Sequence, residues 1–378
     1  MRYGIRIDEK EFSHTAYWAD GIADYLIQKY PGKQIFVCAA GISPSGPIHF
    51  GNFREVATTF AVAQSLKQKG KEVKCIFSWD NFDRLRKVSA NTPTSYEEYI
   101  GKALSNIPSP TQQDTSYAEE HQQKFQEAIE QFNIPIEYRD QTELYTTGAY
   151  DAHIITAMQK RKEIADILLA HMTDKGKEIK GVSDEEYRNT YYPISIYSRF
   201  TGKDATEVLS YDGKSSIRYR CKISGKEEEI DFTDVRIVKL SWKVDWAMRW
   251  AQEDVCFEPG GSDHAAPGGS YDVSSEIAVK IFNTQPPIFT EFGFVGLQGI
   301  NTKMSGSSGK NITPLTLLNI YEPQLLLWMY LRRLPKQTFS LAFDTEVYRQ
   351  YDEIDAVMRE PANHSATCLL YTSPSPRD

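Results

Sequence analysis

Two short apolar runs, with a helix-spaced stretch between them, constrain this chain most. Ile35, Phe36, Val37 and Cys38 follow Pro31 and Gly32, and Val73, Lys74, Cys75, Ile76 and Phe77 come after Phe53, Val56, Ala57 and Phe60, which recur at helical spacing. Short apolar runs bounded by Pro and Gly suit strands buried on both faces, the condition of parallel sheets. The pattern predicts a βαβ unit whose Gly, Ser and Pro loop, residues 44–53, lies at the carboxyl end of its first strand. Parallel sheets take ligands at that end. Ahead of the unit, Trp18, Ile22, Tyr25 and Leu26 share one helical face. The predicted class is α/β.

With 378 residues, 40% of them hydrophobic, the chain is long enough for two or three domains around sizeable cores. The 43 Lys and Arg against 51 Asp and Glu give a formal net charge of −8, the wrong sign for nonspecific coating of nucleic acid. Any such contact is confined to a patch. Runs such as Leu325, Leu326, Leu327, Trp328 and Met329 are far too short to cross a bilayer. No basic segment leading into an apolar stretch marks the N-terminus for secretion. Cys38, Cys75, Cys221, Cys256 and Cys368 form no close pair in sequence, which argues for a reducing compartment and against a disulfide framework or a cysteine metal site. The expected setting is the cytoplasm, with no membrane partner.

Residues 81–147 are polar and rich in Tyr, Pro and Gln, which predicts a long excursion over the sheet edge rather than part of its core. Ile154, Ile155, Met158, Ile164, Ile167 and Leu168 resume a helical stripe. From about 180 to 240 short strands take over, with Ile217, Tyr219 and Cys221 alternating and Ile230 and Phe232 after an acidic turn. Beyond Thr313 the chain reads as mainly helical.

The chemistry begins in the first loop. His49 and Asn52 can donate to phosphates, Gly51 lets a nucleotide approach the backbone, and the helix start that follows favours negative charge. Far along the chain, Lys303, Met304, Ser305, Gly306, Ser307, Ser308 and Gly309 form a complementary loop. Lys303 supplies a point charge, the serines supply donors, and the glycines let the loop close over leaving pyrophosphate. Together the two loops suggest an adenylate-forming site. Between them, Gly260, Gly261, Ser262, Asp263 and His264 suit a ribose, with Asp263 accepting from sugar hydroxyls, although Asp263 also suits a helix cap. Trp242, Trp246, Arg249 and Trp250 fall on one helical face beside Asp245, a stripe that serves a core as readily as a wall around a cationic side chain.

At this point the chain resembles the class I lysyl-tRNA synthetase family over roughly residues 12 to 360. Residues 49–52, His-Phe-Gly-Asn, match the signature that reads His-Ile-Gly-His in most class I relatives, and 303–307, Lys-Met-Ser-Gly-Ser, match Lys-Met-Ser-Lys-Ser. The stretches Trp-Lys-Val-Asp-Trp from 242 and Phe-Glu-Pro-Gly-Gly-Ser-Asp-His from 257 resemble this family in particular. The resemblance implies a Rossmann-like parallel-sheet catalytic domain in two halves, 12–180 and 241–310, a small ribbon-like β insertion at 181–240, and the start of a helical anticodon-binding region at 311–360. It implies ATP-dependent activation of L-lysine to lysyl-adenylate with release of pyrophosphate, then transfer to tRNA(Lys), with Mg²⁺ carried through the nucleotide. His49, Asn52 and Lys303 are the implied catalytic residues. Ser45, Gly46, Gly51, Gly261, Asp263, Met304, Ser305 and Ser307 join them around ATP. Ser43, Trp242, Asp245, Trp246, His264, Tyr271 and Asp272 are candidates for the lysine. Two other functions fit the same loops: a nucleotidyltransferase that activates another small acid, and a non-catalytic RNA-binding paralogue.

This chain departs from the family pattern in several places. Gly306 and Ser262 stand where relatives carry Lys, removing two cations from the site. Many relatives close the insertion with a cysteine zinc ribbon, whereas here only Cys221 remains in Tyr219, Arg220, Cys221, Lys222, Ile223, Ser224 and Gly225. One thiolate cannot fill a tetrahedral zinc site, so a ribbon without metal is expected. Residues 361–378 read as a non-native tail; from Cys368 they resemble a translated sequencing-library adapter, which puts the last native residues near Glu360. A helical region cut there is expected to leave Leu325, Leu326, Trp328, Met329 and Leu331 partly exposed and to weaken tRNA selection.

Overall fold

The computed structural model describes residues 3–7, 11, 15, 17–90, 92–298 and 312–359. Helix α1 (Trp18–Lys29) leads to strand β1 (Ile35–Ile42), and α2 (Phe53–Gln68) carries the chain to β2 (Glu72–Trp79). After α3 (Tyr117–Gln131) and β3 (Glu137–Asp140) come α4 (Trp242–Glu253), β4 (Val255–Gly261), α5 (Ser270–Lys280) and β5 (Ile288–Phe292). The five strands form one parallel sheet in the order β5-β4-β1-β2-β3. β1 and β2 pair in register from Ile35 opposite Glu72 to Ile42 opposite Trp79.

Strand periodicity sorts the two cores. Cys38 and Ala40 of β1 face α1 and α2, whereas Val37 and Ala39 face α4 and α5. The helix that leaves β1 and the helix that leaves β4 therefore cover opposite faces, and a crevice opens between the carboxyl ends of these neighbouring strands. Cys38, Cys75 and Cys256, distant in sequence, stand together on β1, β2 and β4 as buried free thiols. A hydrogen bond with Cys256, and then burial, raise the Cys38 thiol well above its ordinary range.

Residues 81–147 are more than an excursion. They supply β3, the edge strand of the sheet, and α3, whose Phe125 and Ile129 enter the main core. The half-exposed edge hides β3 from a search for apolar runs. A start signal for α3 was nevertheless present: Ser116 accepts from the Glu119 amide (3.1 Å) while Glu119 accepts from the Ser116 amide (2.7 Å).

A separate antiparallel sheet spans Thr206–Tyr211, Ser216–Cys221 and Glu227–Asp231, with Ile217, Tyr219 and Cys221 inward. Two turns of like shape meet there: the Gly202 amide donates to the Ser198 carbonyl (2.6 Å), and the Gly225 amide to the Cys221 carbonyl (2.8 Å). Hydrogen bonds from Ser198, Ser224 and Thr201 outweigh the upward push of burial and bring the Cys221 thiol down to about 6. Among the described residues, no group of three or more His, Cys, Asp or Glu is placed to hold a metal ion.

The C-terminal part corrects one expectation. Leu325, Leu326, Trp328, Met329 and Leu331 of α6 (Pro323–Leu331) are at most 4% exposed, because α6 packs on the face of α2 opposite the sheet. Each side chain so covered contributes about 1.5–3 kcal/mol. The Trp18 indole donates to the Leu331 carbonyl (2.9 Å) and ties α1 into the same layer. Apolar exposure lies instead around α7 (Glu346–Arg359), at Tyr348 and Met358, and at Phe294 and Phe343. Among the described residues no helix is long and apolar enough to cross a membrane.

Candidate active site at the carboxyl edge of the sheet

The first loop leaves β1 and winds straight into α2. The amides of Asn52, Phe53, Arg54 and Glu55 donate to the carbonyls of His49, Phe50, Gly51 and Asn52, and the Phe50 amide donates to Ile312. These amides are already partnered, so anion binding falls to side chains and to the field of the helix start. The Gly51 amide donates to His49 Nδ1 (3.1 Å), which places the ring proton on Nε2. Burial lowers the His49 pKa, so at neutral pH the ring is a neutral, oriented donor. Gly51 makes this possible: a Cβ there would lie 2.8 Å from the ring. Asn52 occupies the cap position of α2 without making a side-chain cap bond, which leaves its amide for a ligand. Ser43 is half-buried at the root of the loop, and Ser45, exposed, accepts at its carbonyl from Tyr117 (3.2 Å).

Across the crevice β4 ends at Gly260 and Gly261. A Cβ on Gly260 would collide with the Phe289 ring at 2.6 Å. The next turn, Ser262–Ala265, is capped by Gly261 without a side-chain bond, so Asp263 is not its cap and its carboxylate faces outward. His264 lies 6.0 Å from Trp242 and 5.5 Å from Trp246, centroid to centroid, while Trp242 and Trp246 stack at 5.2 Å. The tryptophan stripe is divided in burial: Trp246 and Trp250 are core, and Trp242 is half-open.

Behind the tryptophans stands Glu258, a buried carboxylate that accepts from the Trp246 indole (2.9 Å) at one oxygen and from the Trp250 indole (2.6 Å) at the other. Burial raises its pKa. Glu55, in the first turn of α2, accepts from the Gly41 amide (3.0 Å), and burial, then the nearby Glu258, Asp80 and Asp263 charges, push it up to about 8. Neither glutamate was among the sequence candidates. Glu258 could have been found as a charge inside an otherwise apolar strand, and Glu55 as an acid in the helix turn that follows the loop.

Three lysine candidates are placed differently from expectation. Asp245 is wholly buried; it accepts from Tyr145 at one oxygen, and from Arg249 (2.6 Å) and Lys239 (3.2 Å) at the other. These cations outweigh burial and hold its pKa below the usual carboxylate range. Arg249 also reaches Asp80 (2.6 Å), and Lys239 reaches Asp83 (2.9 Å). Helical spacing reveals Arg249, four residues on from Asp245, but not Lys239, which precedes the helix. Tyr271 is buried and donates to the Pro287 carbonyl (2.7 Å), just before β5 and so at the amino end of the sheet. Asp272 binds Arg6 (2.7 Å) and the Gly268 amide (2.8 Å). The structure thus brings His49, Asn52, Gly51, Gly261 and Asp263 to one edge, with Trp242, Trp246 and His264 clustered beside it. Lys303, Met304, Ser305 and Ser307 lie outside the described residues.

A helix start and a strand end facing one another at a switch point define the class of α/β proteins that bind ligands in that crevice. The chain belongs to a particular family within it, since the family model described as tRNA synthetases class I (K) matches residues 16–369. The protein named Lysine–tRNA ligase of Treponema pallidum is 36% identical over 343 residues, covering 90% of this chain and 63% of that protein. The namesake of Streptomyces coelicolor is 38% identical over 383 residues, covering 94% and 66%, and that of Pyrococcus horikoshii 36% over 343 residues, covering 91% and 64%. The chain thus spans 63–66% of the length of these relatives.

Proposed function

We propose that this chain activates L-lysine with ATP, in the cytoplasm, and passes the lysyl group to tRNA(Lys). The observation that carries this reading is the family match, joined to a neutral, oriented His49 donor at the start of α2. The lysine carboxylate is ionised at neutral pH and attacks the α-phosphate without a general base; an oxygen–phosphorus bond forms, and the bond to the pyrophosphate leaving group breaks. Catalysis then consists of alignment and charge neutralisation. His49 Nε2 and the Asn52 amide would donate to the phosphates, Lys303, Met304, Ser305 and Ser307 would close on the leaving group, and Asp263 with Gly261 would hold the ribose. Mg²⁺ would arrive on the nucleotide's own oxygens.

On the substrate side, Trp242, Trp246 and His264 form an aromatic wall backed by Glu258. An ammonium group over that wall gains cation–π attraction and the field of a carboxylate shielded from water. Glu258 replaces Asp245 as the acid this reading needs, because Asp245 is already neutralised within the protein.

Lysine-dependent ATP–pyrophosphate exchange tests the proposal, with arginine and ornithine as competitors. Lysine-specific exchange is expected, with His49→Ala and Lys303→Ala each lowering it by about 100-fold or more. Preference for another acid would point to a different nucleotidyltransferase. ATP binding without exchange in the folded protein would point to the non-catalytic paralogue.

A further inference from the structure

Arg54, the second residue of α2, is 1% exposed, yet its recorded partners among the described residues are carbonyls and not carboxylates. Nη1 donates to the Tyr330 carbonyl (3.0 Å), and Nη2 to those of Leu334 (2.9 Å) and Pro335 (3.0 Å), while the Phe339 ring lies 5.2 Å from the guanidinium. Burial lowers its pKa to about 10, so the group stays charged at neutral pH. Of the carbonyls it gathers, that of Tyr330 belongs to the last turn of α6, where the helix field favours a cation, and those of Leu334 and Pro335 belong to the loop that follows.

Tyr330 completes the connection. Its hydroxyl donates to the Phe50 carbonyl (2.8 Å), and the Phe50 amide donates to the Ile312 carbonyl (2.9 Å). Both backbone groups of the residue between His49 and Gly51 are therefore held by the C-terminal part of the chain. Burying a cation without a counter-ion is costly, and a well-packed apolar residue of similar volume would serve stability as well. What the guanidinium fork adds is fixed geometry.

We propose that Arg54 and Tyr330 are positioning residues for the phosphate loop: they hold Phe50 against α6 and so aim His49 and Asn52 from the C-terminal helical layer. The inference rests on reading that loop as the ATP site. A displacement of α6 would then be felt at His49 through two side chains.

The test compares wild type, Tyr330→Phe and Arg54→Lys by ATP affinity in calorimetry, amide hydrogen exchange over residues 49–54, and the kinetics of lysine-dependent pyrophosphate exchange. Tyr330→Phe keeps the ring edge-on to Phe53 at 5.0 Å and deletes only the hydroxyl. In that variant ATP affinity should fall about three- to tenfold, with the KM for ATP rising in step. The KM for lysine should not change, the loop amides should exchange faster, and Tm should move little. Arg54→Lys keeps the charge but loses the fork, and should shift ATP affinity in the same direction. Unaltered ATP affinity and loop exchange in Tyr330→Phe would overturn the proposal. So would parallel loss of ATP affinity, lysine affinity and Tm, which marks a merely structural role. If wild type binds ATP but shows no lysine-dependent exchange, the functional reading fails while affinity and amide exchange still decide the positioning role. A wild type that binds no ATP overturns both.

Discussion

Around His49 the loop itself presents neutral groups: a ring kept uncharged by burial, backbone amides closed among themselves, and a glycine that makes room, while the buried Arg54 cation is held on the carbonyls of Tyr330, Leu334 and Pro335. A short distance away, around Trp246, it buries ions: Asp80, Arg249, Asp245, Lys239 and Asp83 form one chain of contacts, and Glu258 hangs from two indoles. Under the proposed function these are two ways to meet a charged substrate at one sheet edge. An anionic nucleotide needs donors whose geometry is set beforehand, and neutral donors avoid the cost of burying cations. A cationic substrate needs a fixed negative field, which requires buried carboxylates and therefore internal cations to offset most of them.

The ionic side should break hardest. Arg249→Met strands Asp80, leaves Asp245 with Lys239 and Tyr145 alone, and is expected to cost about 3–5 kcal/mol of stability. Urea unfolding measures this, and a loss below 1 kcal/mol would mean that the network is not a structural necessity. On the neutral side, Gly51→Ala adds a carbon that the His49 ring must avoid. The KM for ATP should rise about tenfold, a displacement penalty near 1.4 kcal/mol, with the KM for lysine unmoved; a lysine effect of equal size would erase the distinction between the two regions.

Glu258→Gln should do the reverse and raise the KM for lysine about fivefold, the loss of one charged hydrogen-bond partner's field, while sparing that for ATP. Tryptophan emission reports the same change, since both indoles contact the carboxylate. The remaining check is a pH slope. Glu55 has an ordinary value of 4.5 and is pushed up to about 8 in the fold. Between those values the folded state holds a proton that the unfolded state has released, so the contribution is full below about 4.5 and is lost as pH rises through about 8. Glu55→Gln should flatten the decline in stability across that window in unfolding curves taken at several pH values; an unchanged slope would show that Glu55 titrates like an exposed acid.

Much of the neutral side was legible beforehand. The βαβ unit and the start of α2 at Phe53 follow from local spacing, whereas the hydrogen bond from the Gly51 amide to His49, and the room that Gly51 leaves for the ring, emerged only in the structure. The edge strand β3 was not legible, because a half-exposed strand reading Glu-Tyr-Arg-Asp carries no apolar alternation. Asp245 looked available because a helical projection shows its neighbours on one helix and not Lys239 or Tyr145, which arrive from elsewhere in the chain. The same limit concealed the burial of α6, whose covering partner, α2, lies more than two hundred residues earlier.

The sequence by itself determined what local stereochemistry and periodicity control: the α/β class, the loop at the end of β1 and the residue types able to face a phosphate. Tertiary structure alone decided which charges are free. The ionisation and availability of a buried group depend on the ions and dipoles within a few ångströms, and these are brought together by the sheet order and helix packing rather than by neighbours in the chain.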